Sequence, residues 1–286
     1  MSSETLDGAS VARAADAIRS ADALVIAAGA GMGVDSGLPD FRGAEGFWNA
    51  YPPYRALGLR FDQMANPDQF RRDPAVGWGF YGHRLSLYRS FAPHAGFRIL
   101  KRWADAKPDG SFVFTSNVDG HFQRAGFDPD GVLECHGSIH HLQCAQPGCA
   151  AGRGGGIWSA DGVTVTIDVA TMRAADPLPR CPGCGGVARP NILMFNDAEW
   201  VEARTAAQES RFRHWFKHAD ARRVTVIEMG AGGTIPTVRH NSQWLQAAGA
   251  TLVRINPWEP EGPRTTISLA AGALAALRAI DAAIGA

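Results

Sequence analysis

The stretch that most constrains the fold lies near the N-terminus. An apolar run of strand length, Ala23-Leu24-Val25-Ile26-Ala27-Ala28, passes directly into glycines at alternate positions, Gly29-Ala30-Gly31-Met32-Gly33. Glycine lets the backbone take positive φ and come close to a bound group. A buried strand that ends in such a turn is how open α/β sheets receive a nucleotide phosphate. Val34 stands where a full G-x-G-x-x-G would place its third glycine. The spacing alone therefore also suits a tight turn after a core strand. The polar residues that follow, Ser36, Asp40 and Arg42, sit in a Gly/Pro-containing loop, and such loops tend to carry function.

The rest of the chain alternates strand and helix patterns. Residues 10–21 have helical spacing. Residues 111–115 read as a second strand, ending in Ser116-Asn117-Val118-Asp119-Gly120, and 132–135 as a third, running into His136-Gly137-Ser138. Further strands are expected at 191–195, at 223–229 and at 251–256. The strand at 223–229 ends in a second glycine turn, Gly230-Ala231-Gly232-Gly233-Thr234. Helices are expected at 199–219 and 269–284. Such alternation implies an α/β fold with a parallel sheet and right-handed crossovers.

Two segments interrupt it. Phe47, Trp48, Tyr51, Pro52, Pro53 and Tyr54 form an aromatic, proline-broken stretch expected to be a loop. Several short helices follow over 68–107, with Phe80, Tyr81, Arg84, Leu87 and Tyr88 on one face. Residues 142–189 are glycine-rich, lack helical periodicity and carry Cys144, Cys149, Cys181 and Cys184.

Charge excludes some functions. Lys and Arg number 28, as do Asp and Glu, so nothing calls for nucleic acid or an anionic membrane. No apolar run nears the ~20 residues that cross a bilayer, and the first residues resemble no secretory leader. The expected location is cytoplasmic, where cysteines serve as ligands or thiols rather than disulfides. Two close cysteine pairs on glycine-bearing turns can place four sulfurs around Zn²⁺, and an all-sulfur site is closed and structural. Cys135 lies outside the cluster and reads as buried packing.

Taken together, these residues resemble sirtuins, the NAD-dependent protein deacylases. The matching pieces are Gly29-Ala30-Gly31-Met32, Ser36-Gly37-Leu38-Pro39-Asp40-Phe41-Arg42, Thr115, Asn117-Val118-Asp119, His136-Gly137-Ser138, both cysteine pairs, Arg189-Pro190-Asn191 with Phe195, and Ile255-Asn256. The resemblance implies a Rossmann-like NAD-binding domain (residues 1–42, 108–141 and 190–286). It also implies a small domain made of a helical module with the cofactor loop (43–107) and a zinc-binding module (142–189).

The implied reaction transfers an acyl group from a lysine of a protein or peptide substrate to ADP-ribose, with release of nicotinamide. His136 is then the general base on a ribose hydroxyl, its ordinary pKa of ~6.5 suiting that task. Asn117 and Asp119 orient nicotinamide, ribose or water, with Ser116 near the ribose. Ala30, Asp40, Phe41 and Arg42 line the nicotinamide end. Gly29, Gly31, Gly230, Ala231 and Gly232 approach phosphate and adenosine by backbone, and Asn256 holds the adenine ribose. Phe195 and Asn196 lie where a peptide adds as a strand. Tyr81 and Arg84 look like the Tyr-x-x-Arg pair of sirtuins that prefer acidic acyl groups such as succinyl, a guanidinium being able to hold a carboxylate by two hydrogen bonds. The family usually has serine at position 33, glutamine at 116, threonine at 231 and glycine at 196. Here these are Gly33, Ser116, Ala231 and Asn196. Alternative readings are a sirtuin-like ADP-ribosyltransferase or NAD hydrolase, and an NAD sensor without turnover. A Rossmann dehydrogenase leaves the cysteine cluster unexplained.

Overall fold

The computed structural model describes residues 6–38, 43–56, 58–149 and 156–285. Strand β1 (Ala23–Ala28) is its axis, and all six of its residues are buried. Successive side chains of a strand point to opposite faces. Leu24, Ile26 and Ala28 accordingly enter one core with Ile18 of α1 (Gly8–Ser20), Leu100 of α8 (Ala95–Asp105) and Leu277 of α12 (Ala273–Gly285). Ala23, Val25 and Ala27 enter another with Phe212 of α10 (Ala203–His218) and Leu245 of α11 (Thr237–Ala247). Cover on both faces is why the strand is apolar throughout rather than alternating.

The six-stranded sheet runs β3-β2-β1-β9-β10-β11. The strands are β2 (Ser111–Thr115), β3 (Val132–Glu134), β9 (Val224–Met229), β10 (Thr251–Ile255) and β11 (Ile267–Leu269), and every pairing is parallel. The order reverses between β1 and β9. Open α/β sheets bind their ligands in the crevice at that reversal, beyond the carboxyl ends of the strands. Both glycine turns are there.

The second lobe has one shared core. Phe47, Tyr54, Phe80 and Tyr81 from its helices pack with Ile139, Leu142 and Ala188 of a small sheet. That sheet is β5 (Ile157–Ser159), β4 (Gly137–Cys144) and β8 (Ala188–Ile192), all antiparallel. A hairpin, β6 (Ile167–Asp168) and β7 (Arg173–Ala174), lies along α7 (Pro74–Ser90). Gly79 permits this approach, since a Cβ there would stand 1.8 Å from the Met172 carbonyl oxygen.

Four expectations need correction. The aromatic, proline-broken stretch is helical, as α3 (Gly43–Ala50) and α4 (Pro52–Ala56). Pro52 begins α4, where a missing N–H costs nothing, and Phe47, Tyr51 and Tyr54 are the buried ring cluster of the lobe. After α5 (Phe61–Met64), the several helices expected over 68–107 are three, α6 (Asp68–Arg72), α7 and α8, but they are not all short, since α7 runs 17 residues. The strand expected at 191–195 is β8, which stops at Ile192. It lies at a sheet edge, which is where a strand can contain Pro190. The closing helix starts at Ala273, with β11 standing before it.

Candidate active site

The two glycine turns interlock. A Cβ on Gly29 would lie 2.7 Å from Ala231 Cα and 2.7 Å from the Gly230 carbonyl oxygen. Gly230 has φ of 60°, and a Cβ there would lie 2.4 Å from Met32 N. Only glycine allows this approach. The turns are tied by Gly31 N donating to Gly230 O at 3.0 Å. Ala30 and Gly232 face solvent, and nothing stands within 4 Å of a Cβ placed on Gly232. Backbone N–H groups in so tight a cradle suit a diphosphate. Asp40, Phe41 and Arg42 lie outside the described residues.

The end of β2 supplies the next wall. Ser116 N donates to Ala28 O at 3.1 Å and Thr115 Oγ1 to the same oxygen at 3.0 Å. Asn117 Nδ2 donates to Gly29 O at 3.0 Å, so this amide is anchored on the first glycine turn. Asp119 is buried and accepts from His121 N at 2.9 Å. Its carbonyl accepts from His140 Nε2 at 2.9 Å.

His136 follows the end of β3 and precedes β4. Gly137 makes the turn between the two sheets possible: its φ is 78°, and a Cβ would stand 2.1 Å from Asn191 O. His136 O accepts from Leu193 N at 3.0 Å. Its Nε2 shares a 3.3 Å hydrogen bond with Thr237 Oγ1, at the start of α11 just beyond the second glycine turn. Burial lowers the His136 pKa below its ordinary value, which keeps the ring neutral at pH ~7 and able to take a proton. Cys135, next to it, is half-buried, and burial pushes its thiol up to about 12.

The residues expected on the peptide and acyl side lie with the second lobe. Phe195 is 37% exposed, and its ring meets Phe61 edge-on at 6.1 Å. Its N donates to Ala65 O at 2.9 Å. Asn196 has φ of 55°. Arg84 and Tyr81 are both buried on α7. Arg84 donates to the Tyr88 hydroxyl through Nε at 3.0 Å and through Nη2, and its guanidinium stacks on the rings of Phe80, Tyr81 and Tyr88. Burial pushes the Tyr81 phenol up to about 12.

Asn256 is buried and bonded to protein through both side-chain atoms. Its Nδ2 donates to Ala231 O at 2.9 Å, and its Oδ1 accepts from Trp258 N and Glu259 N at 2.9 and 3.1 Å. It thereby fixes the shape of the second glycine turn. Sequence reasoning missed two helpers there. Glu259 accepts from Gly233 N at 3.1 Å, and Arg239 Nε donates to Ala231 O at 2.9 Å. The only signal was the polar turn after Asn256-Pro257. Thr237 was missed for want of any local pattern.

The four cysteines do come together. Their Sγ atoms all lie within 4.8 Å of one another, with Cys144–Cys184 at 3.6 Å and Cys149–Cys181 at 4.0 Å. Bonds of ~2.3 Å in a tetrahedron put sulfurs about 3.8 Å apart, so the cluster suits Zn²⁺ with no open position. Gln146 N donates to Cys144 Sγ and Gly186 N to Cys184 Sγ, each at 3.4 Å, as thiolates require.

The Sir2 family model matches residues 29–215. The NAD-dependent protein deacylase of Aquifex aeolicus is 29% identical over 237 residues, 82% of this chain and 84% of its own. NAD-dependent protein deacylase 1 of Pseudomonas aeruginosa is 31% identical over 235 residues, 82% of each chain. A solved mutant Sir2 homologue in complex with ADP-ribose superposes with a TM-score of 0.63 at 25% identity, covering 95% of each chain. A second solved Sir2 enzyme has the same fold, with a TM-score of 0.69 at 21% identity over 98% of this chain and 99% of its own.

Proposed function

The chain belongs to the Sir2 family, and on that premise we propose that it is an NAD-dependent protein-lysine deacylase, with a preference for acidic acyl groups such as succinyl. The observation that carries the reading is that Asn117 bonds the first of two interlocked glycine turns at the sheet's reversal point, while His136 bonds Thr237 just beyond the second. NAD supplies the ribosyl carbon that accepts the acyl oxygen as nicotinamide leaves. The backbone of Gly29, Gly31, Gly230, Ala231 and Gly232 holds its phosphates and adenosine, and Asn256 keeps the second turn in shape. Ser116 borders the ribose. Asn117, anchored on Gly29 O, and Asp119 orient the nicotinamide end, which Ala30 borders and to which the family resemblance also assigns Asp40, Phe41 and Arg42. His136, neutral because it is buried, takes the ribose-hydroxyl proton. The peptide lies along Phe195 and Asn196 as an added strand. Zn²⁺ on Cys144, Cys149, Cys181 and Cys184 holds the small lobe.

Arg84 carries the acyl preference. It is a guanidinium kept in an aromatic cage within the same lobe, and a carboxylate is the group that it recognises best.

The test is incubation with NAD and acetyl-, succinyl- and long-chain-acyl-lysine peptides, following nicotinamide and acyl-ADP-ribose. Deacylation lost in His136→Ala supports the reading. Nicotinamide release without peptide means an NAD hydrolase, and ADP-ribose on protein means a transferase. Arg84→Met should lose succinyl but not acetyl turnover, and equal losses reject the acidic-acyl preference.

A further inference from the structure

A groove of about 560 Å³ opens between α9 (His121–Arg124), β3, β4 and α10, and none of its lining residues belongs to the glycine turns. Its wall holds two buried nitrogens without partners, Arg204 Nη1 and His141 Nδ1. Arg204 spends its other terminal nitrogen, Nη2, on Glu134, which is 1% exposed. His141 lines the same groove as Arg204, and its pKa is brought down to about 4, first by burial and next by the charge of Arg204. Arg204 Nη1 is a buried donor left without an acceptor, which costs free energy, and the unpartnered His141 Nδ1 becomes a second donor in one of the two neutral tautomers; together they mark a place for an acceptor.

The balance of charge says which acceptor. Arg124, Arg204 and Arg211 line the groove against Asp130 and Glu134, three positive groups to two negative. Both acids are already matched, Asp130 by Arg211 at 3.5 Å and Glu134 by Arg204. Arg124 gives Nη1 to the carbonyls of Tyr88 and Phe91 at 2.7 Å each, so its charge remains for the groove. We propose that the groove binds a small oxyanion, a phosphate or a carboxylate, between Arg204 and His141. Arg204 is 20% exposed, so a turn of its side chain brings Nη1 to the incoming oxygen.

The site backs onto the catalytic loop. His140, on the same wall, donates to Asp119 O at 2.9 Å and packs where Gly120 lacks a Cβ, which would stand 2.8 Å from His140 Cδ2. An occupant therefore touches the support of Asp119, a place for regulation rather than for substrate.

The experiment is calorimetric titration of the zinc-loaded full chain with sodium phosphate and, separately, sodium succinate, with ionic strength held constant by sodium chloride. Saturable one-to-one binding of either is expected, and which of them binds identifies the source. Arg204→Lys keeps a partner for Glu134, and His141→Phe keeps the ring volume. Each should weaken binding about tenfold or more, the value of one charge-assisted hydrogen bond, while NAD binding stays within about twofold. Absence of saturable binding with both anions overturns the proposal. So does binding that survives both substitutions, as it would at Arg84. If either variant melts below the assay temperature, wild-type crystals soaked in phosphate decide. Tetrahedral density against Arg204 and His141 supports the site, and water alone or an empty groove overturns it.

Discussion

Asp197→Asn is expected to be among the most damaging isosteric changes outside the proposed catalytic residues. Arg189 and Asp197 are 1% and 0% exposed and share two hydrogen bonds of 2.8 Å. Asp197 Oδ2 also accepts from Met194 N at 3.3 Å, and Arg189 Nη1 donates to Ile192 O at 3.4 Å. The pair thus braces residues 192–197, the segment that leaves β8 beside His136 and carries Phe195 and Asn196. With Asn at 197 the guanidinium stays buried and loses its counter-charge. Removing one partner of such a pair costs about 3–5 kcal/mol. At about 2–4 °C per kcal/mol for large domains, the melting point falls by about 6–20 °C. Replacing both charges is close to neutral when the volume is filled, so Arg189→Met/Asp197→Leu should recover most of the loss. Scanning calorimetry of the parent, the single and the double variants checks this, and the KM for acyl-peptide should rise in the single variant as the brace loosens. A single variant within about 2 °C of the parent, or a double variant less stable than the single, refutes the reasoning.

Three further outcomes follow from the geometry. His94 Nδ1 accepts from Gly96 N, so its proton is on Nε2, which donates to Met32 O at 3.0 Å behind the first glycine turn. Burial lowers its pKa, so the unfolded chain takes up a proton near pH ~6.5 that the folded chain refuses; its contribution is complete above that pH and is lost as pH falls towards the folded value. His94→Asn keeps a cap for α8 and should show a smaller drop in melting point between pH ~7.5 and ~5.5 than the parent, equal drops counting against the assignment. Stripping zinc with a chelator, or Cys184→Ser, should remove the metal and melt the small lobe, because a structural zinc contributes about 10–16 kcal/mol in isolated modules; unchanged near-ultraviolet dichroism in metal-free protein would argue against a structural role. Gly137→Ala should abolish soluble folded protein, since its Cβ would sit 2.1 Å from Asn191 O at a φ of 78°, and a variant that melts like the parent would show that the turn can move.

What could be read in the sequence was whatever a backbone demand writes locally. The strand-to-glycine turns at Gly29 and Gly230 and the His136-Gly137 step each impose a conformation that few residues accept, so they left a pattern. Pairings across long gaps left none. Arg189 and Asp197 are eight apart with a turn between them, Gly233 and Glu259 are 26 apart, and His136 and Thr237 are 101 apart. Helices were hidden where tertiary packing replaced local periodicity. In α3 and α4 every large ring is a core contact, and Pro52 imitates a break while marking a start. In α7 burial reaches most of the helix circumference, so no polar stripe outlines it.

The departures from the family pattern separate on the same physical ground. Asn196 stands where glycine is usual, with φ of 55°, and asparagine is among the few residues that enter this region readily. That change therefore keeps the path of the turn beside Phe195 and adds a polar side chain to it. Gly33 is different. The three atoms nearest to a Cβ there all belong to the Leu38 side chain, and the closest, Cδ1 at 3.0 Å, is its flexible end, so space does not exclude a serine. Its absence removes a hydroxyl from the loop while leaving the loop's course intact. Ala231 also lacks a hydroxyl, but its carbonyl is held from two sides, by Asn256 Nδ2 and Arg239 Nε at 2.9 Å each. The second turn is thus kept rigid by donors from other elements. On the proposed reading, the glycine turns hold the dinucleotide by backbone shape fixed from outside, with fewer side-chain hydroxyls of their own.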